Sequence, residues 1–391
     1  MNKYIITILL TFVLYTAFSQ SYESVLRSIE QNNTTLKALR AQADAQKLES
    51  RKDIHLDNPE VEFGYLWGSP TETGKRLDLN VSQSFDFPTT YYYKKKIADG
   101  QAAQADLNYE SERRTLMAEA RKLCIEMIYL NIMREEDNLH IRVAEEIQGA
   151  YQKMFDEGEV SILELNKAKL NLLSARKEYE SNKIERESVL ADLGRLNGGQ
   201  AVVLEDTIYP SAVLPTNFDE WYRSIEGSYP ELQQLTLQQD LARREVQLSK
   251  SLWAPRFNVG YKSERILGTS LQGVGVGIEL PLWQNRYAVK SAQAHSLALQ
   301  SAVSDVQTHY YSTLKSKYAQ ALSLQELYNN YQRVLQSVNT DALLKKALDQ
   351  GEIPLIEYIL ERNVYHEALH DAFEAQRDFQ KAVAELKAFA E

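Results

Sequence analysis

Asp156-Glu157-Gly158-Glu159-Val160-Ser161-Ile162-Leu163-Glu164-Leu165 returns, little changed, as Asp349-Gln350-Gly351-Glu352-Ile353-Pro354-Leu355-Ile356-Glu357-Tyr358, an offset of 193 residues. Each copy sets a glycine between two long runs of helix-forming residues. Glycine ends a helix in a left-handed step without a side-chain clash. Each stretch therefore predicts a turn at the end of a helical hairpin, and the pair predicts a duplicated chain.

The duplication extends outward from both turns. Arg27-Ser28-Ile29-Glu30 matches Arg223-Ser224-Ile225-Glu226, and Pro59, Gly64 and Tyr65 match Pro255, Gly260 and Tyr261, at an offset of 196. From Pro88, matched by Pro281, to Leu193, matched by Leu386, the offset is 193. The change falls between Tyr65 and Pro88, where a surface loop would tolerate it. The expected organisation is a first repeat over 20–197, a linker over 198–217 carrying Pro210 and Pro215, and a second repeat over 218–391.

Within each repeat the apolar period changes. Leu116, Ala120, Leu123, Met127 and Leu130 are spaced as a coiled-coil seam, and Leu165, Ala168, Leu172 and Ala175 repeat that spacing after the turn. Elsewhere the period drops to two. Val61, Phe63, Tyr65 and Trp67, then Leu77, Leu79 and Val81, predict strands at about 60–67 and 77–85. Phe257, Val259 and Tyr261, then Val274, Val276, Ile278 and Leu280, predict strands at about 256–263 and 273–280. Gly273, Gly275 and Gly277 alternate inside the last of these with no helix directly after it, which is the wrong setting for a dinucleotide loop.

Pro88 to Gly158 and Pro281 to Gly351 are each 70 residues apart. An arm of that length, helical throughout, would be roughly 100 Å long at about 1.5 Å per residue. The shorter runs 21–56 and 161–197 together nearly equal one such arm, so two short helices placed end to end could pair with one long helix. The expected fold class is α+β: long coiled-coil helices with four strands per chain.

The chain has 391 residues, of which only 16 are Gly and 9 Pro, consistent with extended helices, and its net charge of −10 argues against a nucleic-acid binder, which needs a basic face. Lys3, the apolar run Ile5 to Leu14 and Ala17-Phe18-Ser19 form a secretory signal peptide over 1–19. Its apolar core is short for a membrane-spanning helix, and no other stretch is apolar enough to span as one. Cys124, the single cysteine, excludes an intrachain disulfide and lies on a predicted helix face.

Strands apolar on one face and Gly, Asn, Asp, Ser or Lys on the other fit a transmembrane β-barrel, and a soluble sandwich equally. The flanks favour the barrel. Tyr91, Tyr92, Tyr93 and Lys94 follow Pro88, and Trp283, Arg286 and Tyr287 follow Pro281, as aromatic and basic residues do at a lipid headgroup boundary. Four strands cannot close a barrel, for which about eight are needed. The chain must assemble with copies of itself: a dimer supplies eight strands and a trimer twelve.

These residues resemble the TolC-like outer-membrane efflux proteins, the outer-membrane factors of tripartite efflux and secretion systems. The resemblance rests on the signal peptide, the duplication, Asn58-Pro59-Glu60 before the first strand, Ser82-Gln83-Ser84-Phe85-Asp86-Phe87-Pro88 after the second, and both turns. It implies a homotrimer with a twelve-stranded barrel in outer-membrane lipid and a periplasmic helical domain. It also implies a passive duct, without enzymatic activity or cofactor, joined to a periplasmic adaptor and an inner-membrane pump of the resistance-nodulation-division class.

By position, the resemblance implies that Gly158, Glu159, Val160, Ser161, Gly351, Glu352, Ile353 and Pro354 meet the adaptor. It implies an acidic pore constriction at Glu357, with Leu360 at the usual second acidic position and Glu361 beside it. Leu348 stands near the position of a gating tyrosine. The strand boundaries look most like those of members serving heavy-metal pumps, so metal-cation export is expected, with multidrug efflux or type I protein secretion as alternatives.

Two rival readings remain. A coiled-coil protein of the periplasm explains the heptads but not the strands. His366-Glu367-Ala368-Leu369-His370 has the H-E-x-x-H spacing of a zinc metalloprotease, but it lies on a predicted coiled-coil helix and the matching Leu173 to Lys177 holds no ligand. No metal ligand is expected from the sequence.

Overall fold

The computed structural model describes residues 21–70, 74–283, 285–338 and 340–390, so the signal peptide expected over 1–19 lies outside the described residues. The elements in chain order are α1 (Tyr22–Asn32), α2 (Thr34–Glu49), β1 (Glu60–Trp67), β2 (Lys75–Phe85), α3 (Pro88–Asp156), α4 (Ile162–Leu196), α5 (Phe218–Ile225), α6 (Pro230–Ser251), β3 (Arg256–Ile266), β4 (Thr269–Glu279), α7 (Ala288–Ser337), α8 (Thr340–Asp349) and α9 (Leu355–Ala390). No described helix is long and apolar enough to cross a membrane.

Compactness divides the chain into two units that cross the repeat boundary. Among the described residues, the first comprises 21–34, 116–214 and 318–386, and the second 35–115, 215–317 and 387–390.

The first unit is built on the predicted seam. Ala120, Met127 and Leu130 are buried together with Val25, Leu26 and Ile29 of α1 and Val189, Leu193 and Leu196 of α4, while Leu116 and Leu123 pack against the cluster. Cys124 is fully buried within it, and loss of hydration pushes its thiol up to about 12. Leu165, Ala168, Leu172 and Ala175 are also buried, as the second seam predicts.

The segment 198–217 joins the repeats without helix or strand. Its first part is nevertheless bound into the core. Val202 and Leu204 are buried, and the fully buried Asn131 donates through Nδ2 to the carbonyls of Leu204 and Asp206, both at 3.0 Å. The backbone acceptors of an irregular segment need partners as much as those of a helix do, and here a buried amide supplies two of them.

The second unit holds the sheet and an aromatic cluster. Tyr229 and Tyr310 stack at 3.8 Å, with Phe389 5.8 Å from Tyr229. Helix α5 begins where Asn217 Oδ1 accepts from the amides of Asp219 and Glu220, and α6 begins with Pro230 in its first turn.

Three expectations about element boundaries are corrected. The run 21–56 is broken into α1, α2 and a short 3-10 turn at Lys52–Ile54: Asn33 leaves helical geometry, with φ −56° and ψ 122°, and donates through Nδ2 to the Leu196 carbonyl at 2.7 Å, satisfying the end of α4. The second long arm is not one helix like α3: α7 starts only at Ala288, after turns at Leu282 and Arg286, and ends at Ser337 before α8. Strands β3 and β4 run on to Ile266 and from Thr269, joined by Leu267 and Gly268 with φ of 49° and 83°. Positive φ at both positions is the two-residue hairpin geometry that matches strand twist, and a leucine there hides it from sequence.

Candidate functional site

The four strands form one antiparallel sheet in the order β1-β2-β3-β4. Strands from the two repeats therefore meet directly, β2 against β3. Register aligns Val61, Val81, Tyr261 and Val274 in one row, Gln83, Val259 and Val276 in the next, and Phe85, Phe257 and Ile278 beyond. The alternate rows carry Glu62, Asn80, Lys262 and Gly273, or Gly64, Asp78, Glu264 and Leu271. Because side chains alternate along each strand, one face is largely apolar and the other mostly polar or small, with Leu66 and Leu271 toward the hairpin ends. The apolar face is open: Phe63 is 64%, Val274 76% and Val276 72% exposed. Among the described residues β1 and β4 have no further strand beside them.

The flanking aromatic and basic residues divide into two kinds. Tyr91 Oη accepts from the Asp86 amide at 2.9 Å, and Lys94 Nζ lies 3.0 Å from Asp86 Oδ2, so these two fasten the end of β2 to the start of α3. Tyr92, Trp283 and Tyr287 are exposed, the last with Arg286 5.6 Å over its ring.

At the other candidate region both helical turns close in the same way. Gly158 and Gly351 have φ of 80° and 72°. The amide of Glu159 donates to Met154 O and that of Glu352 to Ala347 O, while the glycine amides donate to Phe155 O and Leu348 O. This is the Schellman pattern that satisfies the last helical carbonyls. The return helices differ. Ser161 and Glu164 form a reciprocal capping box at α4, and those bonds hold the Glu164 carboxyl below its usual range. Pro354 replaces Ser161 in the second copy, so Glu357, the counterpart of Glu164, has no such box and stays exposed.

Glu357, Leu360, Glu361 and Val364 occupy one exposed side of α9, with Leu360 57% and Val364 63% exposed. Behind them Tyr358 and Ile359 are buried with Ile147 and Ala168, and Leu348 packs against this cluster. Arg362 Nη1 donates to Tyr358 Oη at 3.2 Å. That tyrosine–arginine pair, one helical turn apart, is absent from the sequence-based expectations, although its i, i+4 spacing was readable.

A cleft of about 640 Å³ lies among α3, α4 and α9 of the first unit. It is lined by residues including Asp137, His140, Glu178, His366, His370 and Glu374. Burial pushes the Asp137 carboxyl up to about 6, against the pull of His366. His140 and His366 do the reverse to Glu178, holding it down to about 2. The H-E-x-x-H pair is split. His366 faces Glu178 with Nε2 3.6 Å from Oε2, whereas His370 Nε2 lies 3.1 Å from Tyr129 Oη, and Glu367 between them is exposed. The two histidines thus belong to different clusters and do not share one metal position with Glu367 as base.

No protein-family model and no curated protein matches the sequence. Solved structures do match. The CmeC outer membrane channel of Campylobacter jejuni is 17% identical, with a TM-score of 0.76 over 94% of this chain and 85% of that one. CusC, solved in a study of folding and transmembrane channel formation, gives 0.79 at 13% identity over 95% and 92%. The outer membrane protein VceC of Vibrio cholerae gives 0.72 at 15% identity over 94% of each chain. The fold is that of these outer membrane channel proteins. The long helices and four-stranded sheet described above agree with that fold and with the α+β class expected from the sequence.

Proposed function

We propose that the chain is the outer-membrane duct of a tripartite efflux system, a passive homotrimer carrying substrate from an inner-membrane pump and a periplasmic adaptor to the exterior. The observation that supports this most is the sheet, with its exposed apolar face and two open edges. An open edge invites pairing with another chain, and three copies would close twelve strands into a barrel. Strands of 11 residues, about 36 Å long at ~3.3 Å per residue, cover about 25 Å when tilted by ~45°, the height of the apolar band of such barrels.

In the assembled duct, the exposed Tyr92, Trp283, Arg286 and Tyr287 stand at the lipid boundary, and the two Schellman turns, Gly158 to Ser161 and Gly351 to Pro354, dock the adaptor. Three copies of Glu357, with Glu361 one turn on, ring the narrow end and favour cations. The duct does no chemistry of its own, and the pump of the resistance-nodulation-division class supplies the energy. The boundary motifs favour heavy-metal cations as substrate. Growth of a deletion strain on copper, zinc and cobalt salts, beside bile salts and dyes, tests this. Selective metal sensitivity, restored by the intact gene, supports metal export; sensitivity to the organic compounds alone assigns multidrug efflux instead.

A further inference from the structure

We infer that His140, Glu178 and His366 form a binding site for a divalent transition-metal cation, with zinc as its best-fitting ion, that ties α3, α4 and α9 together. Each helix contributes one donor. His140 Nδ1 and His366 Nε2 both lie 3.6 Å from the same carboxylate oxygen, Glu178 Oε2, and the two imidazole rings are 4.4 Å apart between centroids. All three donor atoms fall within 4.8 Å of one another.

These separations are too long for hydrogen bonds and suit a shared cation. Zinc sits about 2.0–2.2 Å from imidazole nitrogen and carboxylate oxygen, so two donors on a tetrahedron are roughly 3.4 Å apart. The two separations to Glu178 Oε2 need only a few tenths of an ångström of adjustment, and the two imidazole nitrogens, within 4.8 Å of each other, close the rest by side-chain rotation.

Burial gives an independent reason. The His140 side chain is 8% exposed, and among the described residues neither of its ring nitrogens has a hydrogen-bond partner; Glu178 Oε2 has none either. Buried polar atoms without a hydrogen bond are costly, and a native protein keeps them where something else satisfies them. A cation would satisfy two at once. Asp137 lines the same cleft, one helical turn before His140, and can complete the shell directly or through water. The cleft provides the path in.

The donor set selects the ion. Two imidazoles and a carboxylate suit zinc, copper(II), nickel or cobalt(II), whereas calcium and magnesium require an all-oxygen shell and copper(I) prefers sulfur. The neighbouring group, His370, Asp371 and Glu374, is a weaker candidate because its donors are committed. His370 meets Tyr129 Oη at 3.1 Å, Tyr331 Oη donates to Asp371 Oδ2 at 3.3 Å, and Arg377 lies 3.2 Å from Glu374 Oε1.

The site is independent of what the duct exports: its ion bridges helices. The test is zinc titration of the untagged full chain in detergent after chelator treatment, by calorimetry, with cobalt(II) absorption as a second probe. The expected result is one zinc per chain, the intense visible bands of four-coordinate cobalt, and a melting temperature raised by zinc. Glu178→Gln, which preserves shape, and His366→Ala, at the cleft wall, should each weaken binding at least tenfold, while His370→Ala leaves it unchanged. No saturable zinc binding in the micromolar range, equal binding by Glu178→Gln and the parent chain, or loss of binding with His370→Ala alone would overturn the assignment.

Discussion

Replacing Asn131 by leucine should release the segment that joins the two repeats. Asn131 is fully buried; its Nδ2 donates to the carbonyls of Leu204 and Asp206 at 3.0 Å, and its Oδ1 accepts from Arg186 Nε at 3.0 Å. Leucine has similar bulk and none of these bonds. The Leu204 carbonyl then lies buried without a donor, a loss of about 1–3 kcal/mol, and the second carbonyl and the guanidinium add about 1 kcal/mol more. A local cost of roughly 2–4 kcal/mol raises the population of the detached segment about 30- to 700-fold, at 1.4 kcal/mol per factor of ten. Hydrogen exchange of the peptide covering residues 200–208, followed by mass spectrometry, reads that population. Glu205→Gln is the control, because its ion pairs with Arg134 and Arg186 at 2.7 and 3.1 Å are partly exposed and should change exchange less than about fivefold. Unchanged exchange in Asn131→Leu would refute the view that buried amide bonds, rather than apolar packing of Val202 and Leu204, hold the segment.

Asp137 makes stability depend on pH. Its folded-state carboxyl is raised to about 6 from 3.8, so between those values the folded state binds more protons than the unfolded one and stability falls as pH rises. The substitution Asp137→Asn should flatten that slope and stabilise the metal-free chain above pH 6 by about 1–3 kcal/mol, measured by thermal unfolding with chelator present. In planar bilayers Glu357→Gln should reduce cation preference; unaltered selectivity would remove Glu357 from the constriction. Val276→Arg, on the apolar face, should cost about 2–4 kcal/mol if it meets the bilayer midplane and deplete the carbonate-resistant membrane fraction. Gly275→Ser, on the opposite face, should leave that fraction intact.

Local periodicity carried much of this fold. The two glycine turns, the seam from Leu116 to Leu130 and the alternating strands were legible because each depends on neighbours within a few residues. Long-range geometry was not. No local pattern announces that Val81 pairs with Tyr261, or that Leu267 accepts a positive φ to close the second hairpin. Val202 and Leu204 lie between glycines and prolines that read as a tether, so their burial beneath an asparagine amide was hidden. The site residues divide likewise. Pro354 replacing Ser161 was visible in the repeat alignment, but its consequence for Glu357 needed the capping geometry. His366 drew notice only through its spacing to His370, whereas its partners are His140 and Glu178, on two other helices and far away in sequence.

The most direct test of the duct is whether the sheet edges of neighbouring chains meet. Cysteines placed in pairs along β1 and β4, such as Glu62→Cys with Gly273→Cys and one-residue offsets of each, should form disulfides where Cα atoms approach about 5.5–6 Å. Buried Cys124 leaves a quiet background. A closed twelve-stranded barrel predicts a membrane-bound ladder of monomer, dimer and trimer that stops at trimer. No intermolecular bond at any offset, or a ladder continuing beyond trimer, would contradict it.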